Sequence, residues 1–338
     1  MARRRIAITG IGLITPLGIG TDETWAAVVA GRSGIAPITR FDASEFTTTI
    51  AGEVKNFDAS RWIQKKFQRQ MDIFIQYAIG AGDFAMKQAG LDPEQGGTKP
   101  DPERIGCYVG SGMGGLPIIE GTIKTLGEKG PRHGISPFFT PSVIINLAPG
   151  QLSIRWDCRG PNMSMVSACS TAAHSIGEAA RVIERGDADL MIAGGSESTV
   201  TPLGIGGFCS ARALSQRNDE PTKASRPFSA SRDGFVLSEG AAILVLEAFE
   251  HAQARGATII AELVGYAANA DAHHITMPSP GGEGAARCMT LALKDAGLSP
   301  EQIGYINAHA TSTVADANET AAIRSVFGAH AMKGLAVS

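Results

Sequence analysis

Short apolar runs separated by amphipathic stretches of helical length recur along this chain of 338 residues. The pattern predicts strands over 189–194 and 241–247, and a helix over 171–185. Strands that alternate with helices favour a mixed, largely parallel sheet with helices packed between its strands. The Gly- and Pro-rich stretch 127–143 interrupts the pattern and is predicted to be a long loop without regular structure.

An internal repeat is the most informative feature of the pattern. Residues 85–95 (AMKQAGLDPEQ) and 292–302 (ALKDAGLSPEQ) are identical at eight of eleven positions. Each segment has the features of a helix end, with Gly90 or Gly297 in the left-handed conformation, and each is followed by a similar strand. Because helix, cap and strand agree in the same order, we expect a tandem duplication.

The duplication also predicts how the second copy continues. In the first copy the next apolar strand is 163–167, which runs into Cys169 and a helix. The matching strand of the second copy is 335–338, where the sequence stops. A chain that ends inside an apolar strand leaves a buried face without its partner elements, so we expect a C-terminally truncated sequence.

Composition narrows the class of protein. Apolar residues make up 43% of the chain and charged residues 19%, with 41 glycines, which suits a buried α/β architecture. A net charge of −3 gives no general attraction to nucleic acid or to an anionic membrane. No stretch approaches the roughly 18 apolar residues that span a bilayer. Five cysteines without a CxxC pair favour a reducing cytoplasm over disulfides or a zinc site.

The start of the chain needs a separate test, because three arginines precede an apolar run. A signal peptide requires an uninterrupted apolar core and a small-residue cleavage site. Gly10, Gly12 and Pro16 interrupt this run, so it is predicted to be a buried first strand.

Cys169 is the first candidate for chemistry. The apolar strand ends near Ser167, and a strong helix former begins directly after the cysteine. A thiol in the first turn of a helix lies beside backbone N–H groups that stabilise a thiolate and a developing oxyanion. The alternative, a small buried residue at a tight turn, stays open. His174 is predicted to face away from the thiol, because five helical residues correspond to a rotation of about 140°.

His309 is the second candidate. It follows the apolar strand 303–306 at the carboxyl end, where α/β sheets place their sites. The hydroxyl run Thr311-Ser-Thr313 precedes a predicted helix over 317–327 and can cap it. A purely structural histidine is the alternative.

Two further motifs are weak. The segment 110–115 (GSGMGG) matches the glycine pattern of a dinucleotide site, which requires a helix to begin there. Pro117 follows almost at once, so a close backbone approach is the favoured interpretation. The pair His273-His274 near Asp271 suggests a metal, but adjacent histidines on a short loop rarely bind one ion together. We expect neither a metal nor another cofactor.

Taken together, these segments resemble the β-ketoacyl-(acyl carrier protein) synthases, condensing enzymes of the thiolase-like superfamily, and in particular their elongating type II. The blocks that carry the resemblance are VSACSTAAHSIGEAARVI, INAHATST, GSGMGG, GPRHGISPFF, ARALS, SRPFSASRDGFVLSEGA and DAHHITMP. The resemblance implies a duplicated αβαβα layered α/β fold with mixed sheets and an incomplete second half. Residues 1–250 are then the N-terminal half with the nucleophile, and 251–338 the start of a truncated C-terminal half.

The resemblance implies a decarboxylating Claisen condensation in fatty-acid elongation, without metal or redox cofactor. Cys169 takes the acyl chain from acyl carrier protein, and malonyl-carrier protein then loses CO2 and attacks the thioester. His309 matches the first of two histidines that stabilise the enolate. Thr311 and Thr313 match residues near the phosphopantetheine arm, and Met113 and Phe208 fall where the family lines its acyl pocket and gate.

The resemblance further implies a cytoplasmic homodimer that binds an acidic carrier protein, with no nucleic-acid or membrane partner. A net-negative enzyme needs local positive charge to dock an acidic partner. The predicted docking residues are Lys65, Lys66, Arg69, Arg132 and Arg212.

Two departures from the family pattern stand out. The family has TSTPxGDxxE where this chain has TSTVADANE, one residue shorter and without the proline. The chain also ends where the family has its catalytic lysine and second histidine motif. Three alternatives therefore stay open: a cysteine hydrolase or simple acyl transferase, a non-catalytic partner subunit, and a fragment that cannot bury its core.

Overall fold

The structure is a computed structural model, and it describes residues 3–92, 96–97 and 100–338. The repeat positions 93–95 lie outside the described residues. The helices are α1 (Thr21–Val29), α2 (Lys65–Gln68), α3 (Ile73–Gln88), α4 (Leu116–His133), α5 (Phe139–Val143), α6 (Leu147–Trp156), α7 (Thr171–Arg185), α8 (Pro202–Ser210), α9 (Phe249–Ala254), α10 (Glu283–Ala296), α11 (Asp316–Phe327) and α12 (His330–Lys333). The strands are β1 (Ile6–Thr15), β2 (Gly18–Ile19), β3 (Ala36–Pro37), β4 (Ile50–Ala51), β5 (Ile105–Gly110), β6 (Asn162–Met163), β7 (Leu190–Glu197), β8 (Gly240–Ala248), β9 (Ala261–Leu263), β10 (Tyr305–Ile306) and β11 (Ala336–Val337).

The main sheet has seven strands in the order β2-β1-β8-β7-β5-β6, with β9 also paired to β1. The sheet is mixed, as predicted: β5 pairs parallel with β6 and β7. The expectation of a largely parallel sheet is wrong, because β8 runs antiparallel to both β1 and β7, and β1 runs antiparallel to β2 and β9. The long segment between β7 and β8 returns the chain to the end of the sheet at which β7 finishes, with Gly240 opposite Glu197, so β8 runs in the opposite direction.

Strand β7 shows why its sequence is continuously apolar. Leu190 and Ile192 belong to the core cluster that contains α3, while Met191 and Ala193 belong to the cluster that contains α7. Side chains alternate between the two faces of a strand, so a strand covered on both faces buries every residue. The predicted strands 189–194 and 241–247 and the predicted helix 171–185 are confirmed by β7, β8 and α7.

The glycines of the first strand have a packing role. A Cβ added at Gly10 would lie 2.1 Å from the carbonyl oxygen of Ala85, and one at Gly12 would lie 1.8 Å from that of Ala81. Both contacts are impossible for real atoms, so only glycine lets α3 approach β1 this closely. The interruptions that argued against a signal peptide therefore mark a helix–sheet contact.

Both copies of the repeat end their helix in the same way. Gly90 has φ of 69° and Gly297 has φ of 68°, which confirms the predicted left-handed caps. In the first copy Leu91 N donates to the Met86 carbonyl, and in the second copy Leu298 N donates to the Leu293 carbonyl. This 6→1 hydrogen bond defines a Schellman motif. The local structure of the repeat is thus reproduced at the level of individual hydrogen bonds.

The repeat extends to the strands. In the first copy Cys107 pairs with Asn162 in a parallel ladder, and in the second copy Tyr305 pairs with Ala336. Cys107 and Tyr305 each directly follow the Ile-Gly pair that begins the repeated strand. The predicted strands 163–167 and 335–338 are observed only in part, because β6 ends at Met163 and β11 comprises Ala336–Val337. In the observed register Met163 is equivalent to Val337.

The predicted loop over 127–143 is wrong. Helix α4 continues to His133, and α5 occupies Phe139–Val143. Gly130 breaks α4 with φ of 69°, and Pro131 begins the helical turn that follows. Proline lacks an N–H and has a fixed φ that suits a first helical turn, so Gly-Pro here separates two helical pieces.

The described chain divides into two compact units. Unit 1 comprises residues 1–41, 51–205 and 237–263, and unit 2 comprises 42–50, 206–236 and 264–338. Cys169 belongs to unit 1 and His309 to unit 2. The predicted division into 1–250 and 251–338 stays a prediction.

Candidate active site

Cys169 lies in a single 3-10 turn, Ala168–Ser170, that leads directly into α7. Ala168 has φ of 51°, a left-handed conformation that is uncommon for a residue with a side chain. Strained backbone of this kind is typical of functional turns. Ser167, which precedes the turn, makes two contacts with α7. Its N–H donates to Thr171 Oγ1 at 2.9 Å, and its hydroxyl contacts His174.

Exposure distinguishes Cys169 from the other cysteines, all of which lie in the described parts of the chain. Cys169 is exposed, whereas Cys107 and Cys158 are buried. Burial raises the pKa of the Cys158 thiol to about 12 and that of Cys107 well above its ordinary value. Reactive thiols need access and a stabilised thiolate. The buried pair is therefore suited to packing. Cys209 and Cys288 are partly buried, so Cys169 is the most accessible of the five thiols.

His174 is half-buried and lies beside the turn that carries Cys169. Its Nδ1 is 2.6 Å from Ser167 Oγ. The predicted rotation away from the thiol assumed that the cysteine belongs to the helix, but α7 begins at Thr171. His174 therefore supports the segment before Cys169.

The GSGMGG loop follows β5 and is anchored by Glu197, the last residue of β7. Glu197 Oε2 accepts hydrogen bonds from Gly112 N at 2.7 Å and Met113 N at 3.1 Å, and Oε1 accepts from Ser111 Oγ at 2.8 Å. Burial raises the pKa of the Glu197 carboxyl, and these hydrogen bonds oppose the rise. The N–H groups that would face a pyrophosphate are thus bound to the protein's own carboxylate.

The expectation that Pro117 prevents a helix after this loop is wrong. Helix α4 begins at Leu116 and accommodates Pro117 in its first turn. The close backbone approach is observed: a Cβ at Gly115 would lie 2.5 Å from the Cα of Val143.

His309 lies in an exposed loop after β10. Its backbone N–H donates to Glu319 Oε1 at 2.7 Å, and Ala310 N donates to Glu319 Oε2 at 2.8 Å. Ala310 has φ of 42° and Ser312 has φ of 64°. The one-residue-shorter TSTVADANE segment therefore still brings its acidic residue onto the histidine loop.

Thr311 and Thr313 contact each other through their hydroxyls at 2.9 Å. Thr313 Oγ1 also accepts from Ala315 N at 3.2 Å. The predicted cap by the hydroxyl run is wrong, because Ala315 is the N-cap residue of α11 and makes no side-chain cap. The Asp316 carboxylate accepts from Thr313 N at 3.3 Å and from Phe228 N at 2.9 Å. Asp316 thereby links the segment around Phe228 to the hydroxyl run.

Phe208 also belongs to unit 2 and packs edge-on against Phe235, with ring centroids 5.1 Å apart. Next to Phe235, Gly234 donates its N–H to the Ser312 carbonyl at 2.9 Å. Unit 2 thus connects Phe208 to the histidine loop through one aromatic contact and one hydrogen bond. Met113 belongs to unit 1 and is 47% exposed.

The predicted docking residues are all exposed. Lys65 and Lys66 form the start of α2, and Arg69 caps its end. Arg132 lies in the last turn of α4. These four belong to unit 1, whereas Arg212, with φ of 54°, belongs to unit 2.

Within 3–92, 96–97 and 100–338, no helix is both long and apolar enough to cross a membrane. The same residues contain no group of three or more His, Cys, Asp or Glu side chains that could hold a metal ion. His274 Nδ1 instead accepts N–H groups from Thr276 and Met277 within its own loop.

Sequence reasoning missed the partners that hold these loops. Glu197 follows an apolar strand in GGSE, and a carboxylate at a strand end was the signal that could have indicated it. Ser167 and His174 gave no comparable signal, because their contact depends on where α7 begins.

An exposed thiol on a strained turn at a helix start, in a mixed α/β unit, is the arrangement expected of an enzyme that transfers acyl groups through a cysteine. Residues 3–252 match the family described as beta-ketoacyl synthase, N-terminal domain, and residues 260–338 match its C-terminal domain. The chain belongs to the beta-ketoacyl synthase family and is an acyltransferase.

Relatives agree with this assignment. A 3-oxoacyl-(acyl-carrier-protein) synthase 2 of Coxiella burnetii is 52% identical over 339 aligned positions, covering 100% of this chain and 80% of the relative. The protein of the same name from Vibrio cholerae is 50% identical, covering 100% of this chain and 81% of the relative. The chain thus spans about four fifths of these relatives.

Solved structures give the fold class. A beta-ketoacyl synthase from Burkholderia phymatum superposes with a TM-score of 0.86 at 36% identity, covering 96% of this chain and 78% of that one. A type II polyketide ketosynthase, solved with its acyl carrier protein, superposes with a TM-score of 0.85 at 33% identity, covering 99% and 80%. The fold is the thiolase-like α/β fold of ketosynthases, as the sequence resemblance implied.

Proposed function

We propose that this chain catalyses the decarboxylating condensation of an acyl thioester with malonyl-acyl carrier protein, which yields β-ketoacyl-acyl carrier protein in fatty-acid elongation. The observation that carries the proposal is Cys169: an exposed thiol on a strained turn at the start of α7. Backbone N–H groups at a helix start favour a thiolate and an oxyanion in the same place. Acyl transfer requires a thiolate as the nucleophile and a stabilised oxyanion on the attacked carbonyl.

The first half-reaction forms an acyl-cysteine. The Cys169 sulfur attacks the thioester carbonyl of acyl carrier protein, and a new C–S bond forms as the phosphopantetheine thiolate leaves and takes up a proton. The Cys169 N–H is the proposed oxyanion donor. Met113, exposed on the loop beside Ala168, is the proposed contact for the acyl chain.

The second half-reaction forms the new C–C bond. Malonyl-carrier protein loses CO2, and the electron pair of the broken bond forms an enolate on its thioester. We assign His309 to stabilise this enolate, and Thr311 and Thr313 to the phosphopantetheine arm. The enolate carbon attacks the acyl-cysteine, and the Cys169 thiolate leaves. Phe208 is the proposed gate, supported by its contact with Phe235 near the histidine loop.

The proposed partner is an acyl carrier protein, as in the polyketide ketosynthase complex. Exposed cations on α2, on the last turn of α4 and at Arg212 are the proposed docking residues, since carrier proteins are acidic. We further propose a homodimer in the cytoplasm. Strand β6 lies at one edge of the main sheet, and Met163 in this strand and Val166 just after it are 51% and 60% exposed. An exposed apolar sheet edge favours pairing with a second copy.

The test measures the intermediate and the product separately. Wild-type protein incubated with acyl-acyl carrier protein should gain one acyl group on Cys169 by intact mass and peptide mapping. Adding malonyl-acyl carrier protein should release CO2 and form the β-ketoacyl product. Cys169→Ala should lose acylation, while the matched variant Cys209→Ala should retain it. Free acid without CO2 or β-ketoacyl product would instead identify a hydrolase.

A further inference from the structure

The loop that carries Met113 is held by a single carboxylate. Glu197 accepts one hydroxyl and two backbone N–H groups, from Ser111, Gly112 and Met113. Ser111 Oγ also accepts from Gly114 N at 3.1 Å, which closes the loop on itself. Charged acceptors form the stronger hydrogen bonds, and donors left without an acceptor are costly when buried. The position of Met113 thus depends on Glu197.

The same loop touches the nucleophile turn. A Cβ at Gly112 would lie 3.7 Å from both the Cα and the carbonyl oxygen of Ala168, which is ordinary van der Waals distance. That Cβ would also lie 2.8 Å from Glu197 Oε2. Gly112 therefore lies between the Glu197 carboxylate and Ala168, the residue before Cys169. A displacement of the loop must change the space beside the thiol.

We propose that Glu197 is a positioning residue that sets the separation between the Met113 loop and the Cys169 turn, and thereby the acyl chain length that Cys169 accepts. This inference rests on the proposed acylation of Cys169. Glu197 itself touches no reacting atom. Its effect passes through Gly112 and Met113, so it must differ between acyl chains that reach Met113 and those too short to do so.

Three substitutions of Glu197 weaken its contact with the Met113 loop to different extents. Glu197→Gln keeps an oxygen of the same reach and should remain closest to wild type. Glu197→Asp keeps the charge, but it is one methylene shorter and draws the loop toward β7. Glu197→Ala removes the acceptor from all three donors. Small misplacements of a reacting geometry cost up to about 100-fold in rate. We expect Glu197→Ala to slow acylation by a long chain about tenfold or more, and by a short chain much less.

Glu53 offers a matched control in unit 1. It accepts hydrogen bonds from the Thr39 hydroxyl and from the backbone N–H groups of Thr39 and Arg40. Like Glu197, it therefore binds one hydroxyl and two backbone N–H groups. Glu53→Ala therefore imposes a comparable structural loss without touching the Cys169 turn. Its ratio of long-chain to short-chain acylation should equal that of wild type, even where its melting temperature falls.

The experiment measures the rate of Cys169 acylation by intact mass, with one short-chain and one long-chain acyl-acyl carrier protein. Each rate is divided by the folded fraction of the protein, which circular dichroism measures. Alkylation of Cys169 by iodoacetamide is measured in parallel. The inference requires a changed chain-length ratio and a several-fold changed alkylation rate in Glu197→Ala, with Glu197→Asp intermediate. If Glu197→Ala does not fold, Glu197→Asp decides alone.

An unchanged ratio in the folded Glu197 variants, or an equal change in Glu53→Ala, overturns the inference. Failure of the proposed function looks different, because wild-type protein would then accept no acyl group from either carrier. In that case the rate of Cys169 alkylation by iodoacetamide tests the positioning role of Glu197. Glu197 variants that are alkylated at the wild-type rate would refute that role.

Discussion

The Glu319 carboxylate holds the backbone of His309, accepting its N–H at 2.7 Å and that of Ala310 at 2.8 Å. Ala310 has φ of 42°, so the loop adopts a conformation that its own sequence does not favour. Two hydrogen bonds to one carboxylate supply the stabilisation that keeps it there. The position of the His309 backbone therefore depends on a residue of α11.

Removing this carboxylate should affect the second half-reaction. Glu319→Ala is expected to lower CO2 release from malonyl-acyl carrier protein about tenfold or more, because the His309 loop loses its anchor. Glu319→Gln, which retains one acceptor oxygen, should recover part of that loss. Acylation of Cys169, measured by intact mass, should change little. Equal losses in both half-reactions would contradict the assignment of His309 to decarboxylation.

The turn at Ala168 predicts a stability effect. A left-handed conformation costs a non-glycine residue about 1–2 kcal/mol, and a β-branched residue more. Ala168→Val should therefore lower the free energy of unfolding by about 1–3 kcal/mol in urea denaturation, and slow acylation of Cys169. Ala168→Gly relieves the strain and should be at least as stable as wild type. A stable Ala168→Val variant with normal acylation would show that the turn is not strained.

The pH dependence of stability should be dominated on the acid side by Glu247, a fully buried carboxyl. Burial raises its pKa, but hydrogen bonds from Arg255, His251 and Thr9 outweigh this and lower the pKa from 4.5 to about 2. A lowered carboxyl pKa stabilises the fold above the unfolded value, and that stability is lost as pH falls. The shift corresponds to about 3 kcal/mol, lost between about pH 5 and pH 2.

Denaturation of Glu247→Gln across this range should therefore be much less pH-dependent than that of wild type. Glu220 provides the control, because its pKa is also about 2 but Lys223 and Arg217 lower it at an exposed site. Solvent screens such surface pairs, so Glu220→Gln should leave the pH profile nearly unchanged. A profile unaffected by Glu247→Gln would refute the assignment.

Charge reversal tests the docking surface. Lys65 and Arg69 lie four residues apart, at the start and the cap of α2, and both are exposed. The double variant Lys65→Glu/Arg69→Glu should raise the KM for acyl-acyl carrier protein about tenfold at low salt, with less effect at high salt. Acylation by a small-molecule acyl thioester should be unchanged.

The control for this experiment is Arg159→Glu/Arg185→Glu, which alters net charge by the same amount. Both residues are exposed, and their partners are nearby aspartates. An unchanged KM in the α2 variant, or an equal rise in the control, would exclude α2 as the docking face.

Periodicity alone was sufficient for β7, β8 and α7, because each is covered in a way that repeats along the sequence. The repeat was sufficient for the left-handed caps at Gly90 and Gly297, since a Schellman motif uses hydrogen bonds within a few residues. The same local reasoning misassigned 127–143 to a loop. Gly130 and Pro131 signal a break in a helix, and nothing nearby in sequence shows that helices continue on both sides.

The sequence by itself determined the α/β class, the duplicated helix–cap–strand, and the cysteine and histidine candidates at strand ends. These features depend on side-chain period, local hydrogen bonds and motifs. Only the tertiary structure decided that β8 enters the sheet antiparallel and that Glu197 accepts the N–H groups of the glycine loop. It also decided that Glu319 still binds the His309 backbone although the segment between them is shorter. Each of these relationships joins atoms distant along the chain or depends on a backbone turn, and hydrophobic pattern carries no information about where such atoms meet.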